Sequence, residues 1–192
     1  MSEDLDNKLD LGKYKAIGEK LTSMGLKDQE MRMSHQKGKM EFDTGVDKEN
    51  LSNLELIVEQ IGWPSKDKVG EVASHAAWLV IQHADLDVEF QEKCLHLMEA
   101  ANSGTVELTQ VAYLTDRVAV NREEKQLYGT QFYQTSRGKI VPRPIKDLPG
   151  LDERRRQMGL EPFEVYRKRM EGNYTYTEGY EEPRVGPFYK LR

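Results

Sequence analysis

Residues 70–84 read GEVASHAAWLVIQHA, and this stretch decides the fold class. Ala73, Ala76, Ala77, Leu79, Val80 and Ile81 leave it apolar almost all round, the mark of a helix enclosed by others. A mainly α protein follows, a small helical bundle with this helix at its centre. The flanking sequence supplies the neighbours. Upstream, Leu51, Leu54, Ile57, Val58 and Ile61 lie on one face of an amphipathic helix, with Asp47 as its expected N-cap. Gly62-Trp63-Pro64-Ser65 stops it, because proline pushes the residue before it out of helical conformation. Downstream, Asp85-Leu86-Asp87 breaks the central helix and caps the next. There Phe90, Cys94, Leu97, Met98 and Ala101 form a second stripe, closed by Asn102-Ser103-Gly104. After Thr105, a further helix carries Leu108, Val111, Ala112, Thr115 and Val118 on one side. Short loops between consecutive helices make them antiparallel neighbours.

Further from the centre the signals weaken. Leu11, Tyr14, Ile17, Gly18 and Leu21 recur at helical spacing after Asp10, and Gly25 is expected to end that helix. The next stretch, KDQEMRMSHQKGKM, has Met31 as its main apolar residue and is expected to pack weakly. EFDTGVDKEN then reads as a loop. Beyond the helices, LYGTQFYQ, TSRG and KIVPRP predict a β-hairpin around a glycine-containing turn. Two strands alone are marginal, so this hairpin needs helices to lie against. LDERRRQMG predicts a short helix ended by Gly159, and Pro162 opens another that runs to about Glu171. Residues 172–192 show no period but hold 4 of the 9 tyrosines, which reads as an arm for a protein partner or self-association. The expected organisation is an N-terminal helical extension over 1–46, a core helical domain with hairpin over 47–171, and the aromatic-rich arm.

Composition excludes several classes. The chain has 192 residues, 38% hydrophobic and 32% charged, with a net charge of −5. Mild acidity argues against nucleic-acid binding, which needs a basic footprint. No apolar run approaches the ~20 residues that span a bilayer, and the acidic start MSEDLDNKLD is no signal peptide. One cysteine, Cys94, makes no internal disulfide and reads as core, so a soluble, cytoplasmic protein is expected. The charge is uneven: residues 47–134 carry 15 acids and 7 bases, whereas residues 135–192 carry 9 acids and 13 bases.

The fingerprints of nucleotide, zinc and serine-nucleophile sites are missing. The densest polar cluster within apolar sequence runs from His75 to Asp85. His75 and His83 stand roughly 12 Å apart along a helix, too far to share a metal. His83, at the helix end beside Gln82 and Asp85, is better placed, since a carboxylate that orients an imidazole sets its tautomer and basicity. The plainer reading is a histidine stabilised by the helix dipole. Asp116-Arg117 closes the helix after Thr105 in apolar surroundings, where Arg117 either pairs with an acid or clamps an anion. Tyr128 and Gln131 flank Gly129, and of Arg154, Arg155 and Arg156 one is expected to turn inward.

With these residues in view, the chain resembles an uncharacterised, mostly bacterial family catalogued as a domain of unknown function. The matching pieces are Gly62-Trp63-Pro64, Val69-Gly70-Glu71, Ala77-Trp78-Leu79 and Gln82-His83-Ala84-Asp85. Further on come Leu114, Asp116-Arg117-Val118, Gln126 to Gln131, Asp152 to Arg155, Gly159-Leu160 and Pro162 to Tyr166. A weaker echo is Asp28-Gln29-Glu30-Met31-Arg32, outside the main resemblance over about residues 47–170. The resemblance implies a firm Gln-His-(Ala/Ser)-Asp element, a firm Tyr-Gly-(Thr/Ser)-Gln element and a variable His75. It implies no reaction and no cofactor.

An alternating bundle brings the helix ends at Ala84 and Val118 to one pole, where the hairpin also starts. The expected function is a small-molecule enzyme using His-centred acid–base chemistry on a polar or anionic substrate. His83 is then acid or base and Asp85 its orienter. Gln82, Asp116, Arg117, Tyr128, Gln131 and Arg155 form the substrate pocket. The alternative is a non-catalytic binding module in which the same cluster is a structural network. A divalent-metal site from His83, Asp85 and Asp116 is the weakest of the three.

Overall fold

In the computed structural model, the described residues are 2–101, 103–135 and 139–172. They form two compact units, Met1–Val106 and Glu107–Arg192. The hairpin turn at 136–138 and the arm beyond 172 lie outside the described residues.

The first unit holds α1 (Ser2–Gln36), α2 (Thr44–Ile61), the single turn α3 (Lys66–Val69), α4 (Glu71–Gln82) and α5 (Val88–Glu99). The apolar run is α4, and every residue from Ala76 to Gln82 is buried. It sits at the centre because its sides offer water no polar face. α1, α2, α3 and α5 all pack on it. Asp87 caps α5 as expected, accepting the Phe90 N–H at 2.8 Å, and Gly62 ends α2 at φ 68°.

Three expectations change here. Helix α1 does not stop at Gly25. A Cβ built on Gly25 would lie 2.7 Å from the Ala76 Cβ, so the missing side chain lets α1 and α4 approach backbone to backbone. The stretch after Gly25 is not a weakly packed one: Asp28, Met31 and Arg32 are all buried. Helix α2 begins earlier than its apolar period, at Thr44. Asp43 is its N-cap, accepting the Gly45 N–H at 2.8 Å, while Asp47 stands inside the first turn.

The second unit holds α6 (Leu108–Asn121), β1 (Phe132–Gln134), β2 (Ile140–Pro142), a 3-10 turn (Leu148–Gly150), α7 (Leu151–Gln157) and α8 (Phe163–Met170). The strands pair antiparallel with Tyr133 opposite Val141. The hairpin leans on α8, where Phe132 meets the Phe163 and Tyr166 rings at 6.4 and 5.5 Å. No helix among the described residues is long and apolar enough to cross a membrane.

Candidate functional site

His83 is the residue that closes α4. Its backbone turns at φ −100°, ψ 0°, and its ring is buried with the core. On α1, one helical turn apart, Asp28 and Arg32 face it at 1% and 4% exposure. His83 Nδ1 lies 2.7 Å from Asp28 Oδ1 and 2.8 Å from Arg32 Nε. Arg32 also donates Nε to Asp28 Oδ1 at 3.0 Å and Nη2 to Asp47 Oδ1 at 2.5 Å, and its guanidinium stacks on Phe42. A buried carboxylate and a half-buried one thus share one guanidinium, with an imidazole against the same group.

The electrostatics separate the two acids. Burial works against charge on Asp28, but the hydrogen bond and charge of His83, joined by Arg32, hold its carboxyl below its ordinary value. For Asp47 burial prevails: despite Arg32, its carboxyl is pushed up to about 6, with the Asp28 and Asp85 charges adding to the effect. The carboxylate found on the His83 ring is therefore that of Asp28. Asp85, expected there, is exposed and accepts a hydrogen bond from Gln91 Nε2 at 3.4 Å. Gln82 is buried beside His83, and its side-chain nitrogen has no hydrogen-bond partner. His75 instead packs against Trp78, with ring centroids 5.2 Å apart and planes tilted by 37°.

The other expected residues come together within the second unit, around the loop 126–131. Asp116, fully buried, accepts from four donors. These are the N–H groups of Leu127 (2.7 Å), Tyr128 (2.9 Å) and Thr130 (2.9 Å), and the Thr130 hydroxyl (2.9 Å). Burial pushes its carboxyl up, and these donors oppose that. The carbonyls of the same loop are taken as systematically. Arg154 Nε donates to Leu127 O at 3.0 Å, Arg155 Nη1 to Tyr128 O at 2.5 Å and the Tyr166 hydroxyl to Thr130 O at 3.2 Å. Arg117 Nη1 donates to Gln131 Oε1 at 3.1 Å.

Gln126 completes the frame. Its side-chain oxygen accepts the Gln131 N–H at 2.8 Å, and its nitrogen donates to Gln131 O at 3.0 Å and Arg143 O at 2.8 Å. Gly129 allows the turn, at φ +70° with the Phe163 ring where a Cβ would stand. Arg155 is the inward member of the arginine triplet, stacked on Tyr166 with its guanidinium carbon 5.0 Å from the ring centroid. Side chains replace the regular ladder here, since the loop has few backbone partners of its own.

The expected site thus falls into two sets, Gln82, His83 and Asp85 in one unit and Asp116, Arg117, Tyr128, Gln131 and Arg155 in the other. Pattern reading missed Asp28, Arg32, Asp47, Gln126 and Tyr166. The pair Asp28 and Arg32 left one trace, the faint motif DQEMR in an otherwise polar helix. Among the described residues, no group of three or more His, Cys, Asp or Glu is arranged to hold a metal ion. Two open surface hollows of about 580 Å³ are lined by none of the candidate residues.

A mainly helical protein with an appended hairpin and a buried His-Asp-Arg cluster is the class these observations define. The chain belongs to a family of unknown function, DUF6624, whose model matches residues 13–178. That span takes in the Asp28–Arg32 segment and starts well upstream of residue 47. No curated protein and no solved structure matches the chain.

Proposed function

We propose that the protein is a small-molecule enzyme using His83 as a proton-transfer group on a polar or anionic substrate. The carrying observation is the contact between His83 Nδ1 and Asp28 Oδ1 at 2.7 Å. A carboxylate on one ring nitrogen holds the imidazole in place and favours proton uptake at the other, which is how histidine bases are made effective. Asp28 is ionised in this reading, as its depressed carboxyl supports. Gln82, buried beside His83, then belongs to substrate binding and offers its amide nitrogen as a donor. The proposal includes a cytoplasmic setting, since Cys94 is a single buried thiol pushed up to about 12 by desolvation and asks for no oxidising compartment. The arm over 172–192 is proposed as a protein-binding segment.

A second reading has its own observation. Asp116 and Gln126 spend their hydrogen bonds on the loop 126–131, which is the behaviour of a structural network in a non-catalytic interaction module. One experiment separates the two. The purified protein is screened by thermal shift against polar and anionic metabolites, and turnover of the hits is measured for wild type and His83→Gln. A loss of ~10²-fold or more with the fold retained supports the enzyme. Full turnover in the variant overturns it, and no ligand together with a large fall in melting temperature favours the module.

A further inference from the structure

His83 Nδ1 has two contacts that cannot both be hydrogen bonds to the same form of the ring. A ring nitrogen carries either a hydrogen or a lone pair. With a hydrogen, Nδ1 donates to Asp28 Oδ1 at 2.7 Å, and Arg32 Nε turns its own hydrogen to that carboxylate at 3.0 Å. With a lone pair, Nδ1 accepts from Arg32 Nε at 2.8 Å and faces the Asp28 oxygen with no hydrogen between. An ionised Asp28 makes the second arrangement repulsive, so the first prevails while that charge persists.

Resting on the acid–base reading above, we infer that Arg32 is a positioning residue that competes with Asp28 for His83 Nδ1, so that the Asp28 charge decides which ring nitrogen holds the proton. Asp47 belongs to the same device. It takes Arg32 Nη2 at 2.5 Å and so holds the guanidinium where its Nε reaches both the carboxylate and the ring. The Phe42 ring, 5.2 Å from the guanidinium carbon, limits its movement from another side. The charged groups at His83 are Asp28 and Arg32 from α1, with Asp47 from α2 paired to Arg32 and exposed Asp85 following the ring in sequence. The depressed carboxyl of Asp28 keeps the competition on the carboxylate's side near neutral pH.

An ordinary Asp-His pair that loses its carboxylate leaves a ring free to choose its tautomer. This one is handed to a second, charged donor. Loss of the Asp28 charge therefore does more than weaken the base: it moves the lone pair from Nε2 to Nδ1, where Arg32 covers it.

The test reads the nitrogens directly and needs no substrate, so it can fail without the enzyme reading failing. Full-length protein labelled with 15N at histidine is followed by NMR across pH, in wild type, Asp28→Asn, Arg32→Gln, Arg32→Lys and the double variant Asp28→Asn with Arg32→Gln. Melting curves confirm that each is folded. Wild type is expected to carry the proton on Nδ1 when neutral. Asp28→Asn is expected to carry it on Nε2, and the double variant to populate both forms. Arg32→Gln should keep the proton on Nδ1 and move the His83 titration to higher pH, while Arg32→Lys should stay closer to wild type. The inference is overturned if wild type holds the proton on Nε2, if Asp28→Asn and the double variant give the same pattern, or if Arg32→Gln leaves the titration unmoved. Should both asparagine variants fail to fold, the Arg32→Gln titration alone decides.

Discussion

Gly25 on α1 and Ala76 on α4 meet so closely that a Cβ on the glycine would lie 3.2 Å from the alanine Cα and still nearer its Cβ. The two helices have no room to part locally, since Leu21 and Met24 on one and Ala77 and Val80 on the other are buried around the contact. Gly25→Val should therefore destabilise the protein by about 1–3 kcal/mol through overpacking. Gly12, on the same helix with nothing within 4 Å, is the control. Gly12→Ala should be neutral or stabilise by up to about 1 kcal/mol, because glycine is a poor helix former. Urea unfolding of both variants checks the pair, and equal effects would show that Gly25 is an ordinary helical residue.

Asp116 gives the second prediction. Asp116→Ala removes the acceptor for three backbone N–H groups and a hydroxyl, all in or beside buried positions. The cost should be about 3 kcal/mol or more, since donors left without partners pay their desolvation in full. Hydrogen exchange at Leu127, Tyr128 and Thr130 should rise with it. Protection unchanged at those amides would mean that the loop is held by other contacts.

The arginine triplet separates burial from exposure within three residues. Arg155 donates Nε to Glu161 O at 2.7 Å and Nη1 to Tyr128 O, and it lies against the Tyr166 and Phe163 rings. A lysine is a point charge and cannot reproduce that planar fork. Arg155→Lys should cost about 2 kcal/mol or more, from two charged hydrogen bonds and the stacking. Arg156→Lys touches only an exposed pair with Glu153 and should fall within about 0.5 kcal/mol of wild type. Thermal melts of the two variants make the comparison.

The pH dependence follows from Asp47. Its folded carboxyl lies near 6, above the ordinary 3.8, so between those values the folded state holds a proton that the unfolded chain has released. The stability from this group is full at about pH 4 and is lost as pH rises through about 6. Asp28 works the other way, adding stability above its ordinary range that is lost only as pH falls through its lowered value. The stability of wild type relative to Asp47→Asn should therefore decline by up to roughly 3 kcal/mol from about pH 4 to pH 7. Urea unfolding at steps across that range reads the difference, and a flat difference would place Asp47 at its ordinary value.

Much of the architecture could be read from the chain. The buried α4, the stripes of α2, α5 and α6, the Asp87 cap and the hairpin each come from signals within a turn or two of backbone. Hydrophobic period and capping chemistry act at that range, so they survive without knowledge of the partner. The start of α2 was misplaced for the same reason, since its first turn lacks the apolar period and only the Asp43 side chain marks it.

Partners distant in the chain were not legible. Gly25 reads as a helix stop and proves to be a contact point, because a glycine's meaning depends on what stands against its missing side chain. Asp28 and Arg32 read as part of a weakly packed polar stretch, yet they meet His83 across 55 and 51 residues. Asp85, the nearest acid along the chain, is exposed instead. Local chemistry determines that a helix ends at His83. Which carboxylate charges that imidazole is a matter of packing, because burial and Coulomb energy depend on distance in space and not along the chain.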